Sequence, residues 1–429
     1  MRLWILAAVV PLVLSGQADS AALLRKARER IAVNLARLPR YTCVQTIQRS
    51  KYELFYAGRH KPCAGPAALP ATGRNRALLL LAWTDRFKLD VTIAEGTEIF
   101  SWAGAREFQS ADAQQIVGGG LTGSGDFGPF LADIFGAGAP PAQYEGVQAI
   151  DGRTLAAYEY HVPASASHYQ IETGGRRGGQ AMMAYEGEFW IDPQTAELRR
   201  LTIVVPQPPA HAETCRVETQ IDYAPVAIAG APLLLPQSTL LKLWDADGSR
   251  YENHIGYAAC RAFESQSVFR PETGADAAPP AAPPAAAPGP PAPQAPPAIP
   301  AGVTVTIDLR TPIDMETAFG GDAIEGQLED AIRSPGGAVL VPAGAIVHGR
   351  VVRAQRHFAP SSFFALGLRF DSVTLGRGEI PLSLEAVPHA LEERMLMGPF
   401  EKAQGIGIFV FHGDPRVVNE GFDSEWRTR

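Results

Sequence analysis

From Arg86 to Ile93 the chain alternates between Phe87, Leu89, Val91 and Ile93 on one side and Arg86, Lys88, Asp90 and Thr92 on the other. A two-residue period places the two sets on opposite faces of a strand, one buried and one wet. Glu95-Gly96 has the composition of a tight turn, and Glu98 to Trp102 returns as a second strand. The signature recurs. Asp151-Gly152 leads into a strand with Ala156, Tyr158, Tyr160 and Val162 on one face. Tyr185 to Ile191 passes through the Asp192-Pro193-Gln194-Thr195 turn into Leu198 to Val205. Tyr41 to Ser50, Cys215 to Ala224, Pro236 to Trp244 and Arg250 to Cys260 read as further strands, the last two joined at Asp247-Gly248. Helical spacing is confined to the front and to two short pieces. Leu24, Ala27, Ile31, Leu35 and Leu38 form one apolar stripe, with Asp19-Ser20 suited to cap the helix and Pro39 to stop it. Arg25, Arg28, Arg30 and Arg37 occupy its other faces; a basic amphipathic helix can lie on a membrane surface, but the commoner arrangement, packing on its own sheet, is the one expected. Asp112 to Val117 and Leu131 to Phe135 are the short pieces.

The alternation stops at Pro271. From there to Pro300, 12 of 30 residues are proline and 11 are alanine, a composition that builds no core and favours solvated polyproline II. We read it as a disordered spacer that holds two bodies apart. Beyond it Val303, Val305, Ile307 and Leu309 alternate with polar residues. Short strands follow at Ile324 to Leu328, Val339 to Val341, Ile346 to Val352, Leu366 to Leu375 and Ile380 to Leu384. Gly405 to Phe411 and Trp426 are expected to close this second core. The division is therefore 1–18 signal peptide, 19–270 antiparallel β domain, 271–300 linker and 301–429 small β-barrel or sandwich, a mainly β fold throughout.

Charge and cysteine content narrow the partners. The formal net charge of the 429 residues is -7, with no basic excess in either half, which argues against nucleic acid. Arg2, the apolar run Leu3 to Leu14 and the small residues ahead of a cleavage site after Ala18 describe a signal peptide. No later apolar run reaches the length of a membrane helix, so the product is expected to be periplasmic or secreted. The four cysteines, Cys43, Cys63, Cys215 and Cys260, then favour two disulfides over zinc, for which the CxxC spacing is missing. Cys43 with Cys63 closes the shortest loop and leaves Cys215 with Cys260. A strand meander sets that second pair at opposite ends of the sheet, so the connectivity stays open.

No motif fixes a chemistry. Gly123-Ser124-Gly125-Asp126-Phe127-Gly128 has the letters of a dinucleotide loop, but it follows no strand and Pro129 interrupts the helix it would need; it reads as a flexible loop. Asp245 to Ser249 begins like a calcium loop but has Arg250 and Gly256 where glycine and glutamate are required. The histidines, His161 and His168 among them, form no metal motif, and Glu186 with Glu188 reads as two exposed acids on a strand rather than a glycosidase pair. No cofactor is implied.

The leading helix, the meander and the run Glu188-Phe189-Trp190-Ile191-Asp192-Pro193-Gln194-Thr195-Ala196-Glu197-Leu198-Arg199-Arg200-Leu201 resemble the half-barrel of bacterial lipoprotein carriers and outer-membrane lipoprotein-sorting proteins. That resemblance implies a curved sheet round a helix and an apolar cavity for acyl chains, for which Phe87, Leu89, Trp102, Tyr158 and Phe189 are the candidate lining. Gly302-Val303-Thr304-Val305, Gly321-Asp322 and the run Val339-Leu340-Val341-Pro342-Ala343-Gly344-Ala345-Ile346-Val347-His348-Gly349 are similar to the C-terminal β-barrel of conjugal-transfer and type IV secretion channel scaffolds. The membrane helix and pore insertion of those scaffolds are missing, so the resemblance implies a barrel module and not a channel. The expectation is a non-catalytic envelope protein that binds a lipid or lipoprotein and contacts an envelope protein. The alternatives are a ligand-free structural scaffold or an enzyme of a type no motif encodes.

Overall fold

The computed structural model describes residues 12–38, 41–55, 63, 77–105, 107–110, 112–118, 121–173, 179–206, 208, 214–262, 298–376, 378–413 and 415–429. The expected spacer lies outside them except for its last three residues, as do residues 1–11 of the expected signal peptide. In the first part α1 (Leu12–Leu35) is followed by β1 (Tyr41–Phe55), β2 (Leu78–Ala94), β3 (Thr97–Trp102), α2 (Ala113–Val117) and α3 (Pro129–Phe135). Then come β4 (Ala142–Ile150), β5 (Arg153–Val162), the small hairpin β6 (Gln170–Thr173) and β7 (Gly179–Met182), β8 (Tyr185–Ile191), β9 (Leu198–Val205), β10 (Thr214–Ile228), β11 (Ala231–Asp245) and β12 (Arg250–Ala262).

Ten of these strands pair antiparallel in the order β3-β2-β1-β12-β11-β10-β9-β8-β5-β4. The expected turns are where composition placed them. Glu95-Gly96 and Asp151-Gly152 both take positive φ at the two central positions, as a two-residue hairpin requires. A further turn of this kind at Ala229-Gly230 makes β10 and β11 longer than expected, because alanine there carries no compositional warning.

The sheet curls round α1 and α3. Ala27, Ile31 and Leu38 of the predicted stripe are buried, and Leu24 and Leu35 are partly so. Asp19 and Ser20 lie inside α1 rather than capping it, because the apolar residues from Leu12 continue the helix backwards; the expected cleavage position Ala18 also falls within it. The arginines bind the chain's own sheet and loops: Arg28 donates to the Pro140 carbonyl at 2.8 Å, Arg37 to the Pro232 carbonyl at 3.2 Å, and Arg30 pairs with Glu197 at 3.2 Å.

Asn34 docks the helix. Its amide donates to the Leu234 carbonyl at 2.9 Å and accepts from the Leu234 N–H at 2.7 Å, completing the ladder of β11 beyond the residues that pair with β12. Asn34→Ala is expected to lower stability by about 1–3 kcal/mol in urea unfolding, since it strands two backbone groups at a half-buried edge.

The second part contains β13 (Thr304–Leu309), β14 (Ile313–Asp314), β15 (Ala323–Leu328), β16 (Ile332–Arg333), β17 (Val339–Val341), β18 (Ile346–His357), β19 (Phe363–Leu375), β20 (Gly378–Pro381) and β21 (Leu384–Ala386). It ends with α4 (Leu391–Leu396), α5 (Pro399–Gln404), β22 (Gly407–His412), β23 (Val417–Val418) and β24 (Asp423–Thr428). Its main strands follow the order β22-β19-β18-β15-β13-β24-β21, curled round a core in which Trp426 is fully buried against Phe370 and Phe409.

The two parts are not held apart. Gln355 to His357 of β18 pair with Asp85 to Trp83 of β2, so both belong to one continuous sheet. Lys88 N–H donates to the Gly320 carbonyl at 2.8 Å and Gly320 N–H to the Arg86 carbonyl at 2.9 Å. A shared core joins Phe87, Leu89 and Trp102 to Val352, Ala365, Met397 and Ile408. The separated arrangement expected from the spacer fails because the outer edge of β2 beyond β3 has unpaired backbone groups, and β18 supplies their partners.

Candidate functional site

The concave face of the half-barrel is where the expected lining residues should meet. All five are buried, but they fall into two groups. Tyr158 and Phe189 stack at 5.2 Å between centroids under α3, where Phe135 closes on Phe189 at 4.8 Å, and the Tyr158 hydroxyl donates to the Ser20 carbonyl. Phe87, Leu89 and Trp102 sit in the shared core at the junction with the barrel. These aromatics pack against protein.

A second group of residues was not legible as a site. The glycine-rich segment from Leu121 to Gly128 enters the concave face, with Thr122, Asp126 and Phe127 each under 5 % exposed. It is a packed plug, which corrects the expectation of a flexible loop. Its glycines allow close approach rather than phosphate binding. A Cβ on Gly123 (φ +75°) would stand 2.9 Å from Leu241 Cδ2, and one on Gly125 (φ +103°) 2.8 Å from the Phe130 ring.

The plug is tied down by a buried carboxylate. Glu98 of β3 accepts from the Gly125 and Phe127 N–H groups, both at 2.7 Å. Asp126 accepts from the Tyr257 hydroxyl at 3.0 Å, Gln45 donates to that same hydroxyl at 3.1 Å, and Tyr223 donates to the Asp126 carbonyl at 2.8 Å. Asn253 holds the Leu121 carbonyl at 2.7 Å. Burial pushes the Glu98 carboxyl up to about 8, with the charge of Asp126 adding to it and the two N–H groups opposing. Burial likewise pushes Asp126 up to about 6. Burial thus biases Glu98 toward its protonated form, while the two N–H groups pull the other way. One signal for it existed in the sequence: Glu98 shares the alternation face of Phe100 and Trp102.

Open space lies beside α1. A groove of about 360 Å³ runs between the helix and the ends of β9, β10 and β11, with Ile31, Val33, Leu198, Pro225 and Leu234 along it and Arg30 and Arg37 at its rim. Val33 is 63 % exposed there.

The four cysteines form Cys43–Cys260 and Cys63–Cys215, with Cα atoms 4.0 and 5.1 Å apart. The short-loop pairing is thus overturned and the objection from the meander upheld. β12 returns beside β1, which brings Cys260 opposite Cys43, and Cys63 after β1 reaches the start of β10. The remaining candidates are dispersed. His161 faces Glu186 at 3.9 Å, His168 meets Asp133 at 2.5 Å, and Asp245 to Ser249 is a hairpin turn closed by the Gly248 N–H on the Asp245 carbonyl. Among the described residues no helix is long and apolar enough to cross a membrane.

No protein-family model and no curated protein matches the chain. Three solved structures are similar to it. A LolA superfamily protein from Nitrosomonas europaea is 11 % identical over 57 % of this chain and 94 % of its own, with a TM-score of 0.23. A DUF1329 family protein from Desulfovibrio piger is 10 % identical over 55 % of this chain and 92 % of its own, with a TM-score of 0.24. LprF from Mycobacterium bovis is 11 % identical over 56 % and 95 %, with a TM-score of 0.17. At such scores the likeness says nothing about ligands.

Proposed function

We propose that the chain is a non-catalytic, exported cell-envelope protein whose half-barrel takes up the acyl chain of a lipid or lipoprotein, its C-terminal barrel being the part that meets a protein partner. The groove beside α1 carries this reading. Elsewhere the concave face is filled by α3, the glycine plug and stacked aromatics, whereas here an apolar trough lies open beneath a mixed-charge rim of Glu29, Arg30, Arg37 and Glu197, with Arg30 paired to Glu197. About 360 Å³ is within the roughly 300–1,000 Å³ of small-ligand sites. The test is mass spectrometry of protein purified without detergent, followed by titration with a fluorescent fatty acid. Val33→Trp should fill the trough and weaken uptake by about tenfold or more while leaving the melting transition in place, since Val33 contributes little to the core. Protein that purifies free of lipid and takes up no fatty acid sinks the reading.

The continuous sheet across both parts favours a second reading, a ligand-free scaffold that holds an envelope assembly through rigid surfaces. Crosslinking in the periplasm separates the two: lipid without protein partners supports carriage, and partners without lipid support the scaffold.

A further inference from the structure

We propose that the outer face of the half-barrel binds a neutral, extended glycan, lying across β1, β12, β11 and β10 and walled at one end by Phe319 of the barrel. The strand register places two rows side by side. Gln48 stands next to His254, Leu240 and Gln220, and Thr46 next to Gly256, Ser238 and Asp222. All point away from the core, because their strand neighbours Ile47, Ile255, Leu241 and Ile221 are buried in it. The rows line a groove of about 400 Å³ that Phe319 overhangs from the second part. Junctions between domains are preferred places for ligand sites.

The chemistry selects a sugar. Amides and hydroxyls each donate and accept, which is what vicinal hydroxyls require. Among the described residues, no side chain hydrogen bonds the amide of Gln48 or Gln220, so both are available. The charges nearby are already engaged, which disfavours an anionic polymer. Asp222 is bound by Arg200 at 2.5 Å, Lys88 by Asp322 at 3.4 Å, and Arg86 donates to the Ala318 and Met315 carbonyls. Lys88 lies 4.1 Å and Arg86 5.2 Å from the Phe319 ring centroid, which fixes that ring as a wall for the apolar C–H face of a pyranose. Strands spaced at about 4.8 Å come close to the rise of roughly 5 Å per residue of an extended β-1,4-linked sugar ribbon, so a short ribbon can run across the four strands. Gly256 in the middle of the floor would meet nothing within 4 Å if it carried a Cβ, leaving room for a ring.

Calorimetric titration of the full chain with chitohexaose, cellohexaose and the α-1,4-linked maltohexaose tests the site. At least one β-linked hexaose should bind and maltohexaose should not. Gly256→Trp stands on ordinary strand backbone facing open space, so it should keep the near-ultraviolet dichroism of the fold and abolish binding. The double variant Gln48→Ala/Gln220→Ala removes no core contact and should weaken binding by about tenfold or more; it decides the matter if the tryptophan variant misfolds. The proposal is overturned if neither β-linked hexaose binds at millimolar concentration, if maltohexaose binds equally well, or if the folded variants bind as the parent does. Fatty-acid uptake beside α1 is a separate readout and should be unchanged in these variants.

Discussion

Between pH 5 and pH 8 the protein should lose stability, and Glu98→Gln should remove most of that slope. The carboxyl of Glu98 titrates near 8 in the folded chain because it is wholly buried beside Asp126, against an ordinary value of 4.5 in the unfolded one. Below about pH 4.5 both states hold the proton and the group is silent. Above it the unfolded chain releases the proton while the folded chain keeps it, so the unfolded state binds fewer protons and stability falls with rising pH until the folded group also ionises. The difference sets an upper bound of about 5 kcal/mol. Asp126, pushed up to about 6, acts in the same direction over a lower and narrower window. Glutamine carries no charge to suppress, but its amide cannot accept from one of the Gly125 and Phe127 N–H groups, a loss of about 1–3 kcal/mol. The two stability curves should therefore cross, with the variant weaker at pH 5 and stronger at pH 8 in urea titrations. Parallel curves would remove Glu98 from the account.

The parts of this fold that were legible in the sequence are those set by neighbours along the chain. The alternation of Phe87, Leu89, Val91 and Ile93 fixed the inward face of β2, and the stripe on α1 fixed the face that meets the sheet. Asp112, where the sequence reading starts the short helix, caps α2, its side chain accepting from the Gln114 N–H. What could not be read depends on partners far away in sequence. Trp102 carries the same aromatic signature whether it lines a cavity or lies under Gly320, and only the fold puts Gly320 against it. The glycine-rich segment reads as mobile because glycine marks both freedom and close packing; Leu241, far along the chain, is what packs on Gly123. The groove beside α1 and the outer-face rows likewise arise from strand register, which pairs Gln48 with His254 and Ser238 with Asp222.

Gly321→Val should separate the two parts of the molecule without unfolding either. Gly321 sits at φ +105°, where a side chain is strained by about 1–2 kcal/mol, and its Cβ would lie 2.9 Å from the Lys88 carbonyl oxygen and 3.2 Å from Trp102 Cε3. Neither neighbour can yield: the carbonyl belongs to β2, and Trp102 is fully buried. Overpacking at such a place adds about 1–3 kcal/mol. The strain falls on the junction, because Gly320 beside it holds the two backbone bonds to Arg86 and Lys88. Each part retains a core of its own, one under α1 and one round Trp426. Calorimetry should thus split one unfolding transition into two, and solution scattering should report a larger radius of gyration. Gly337→Ala, also at positive φ but facing open space, should lower stability slightly and leave a single transition. If Gly321→Val unfolds in one step with an unchanged radius, the Gly320-Gly321 contact is not what joins the halves, and the β2–β18 pairing with the shared core is enough to hold them.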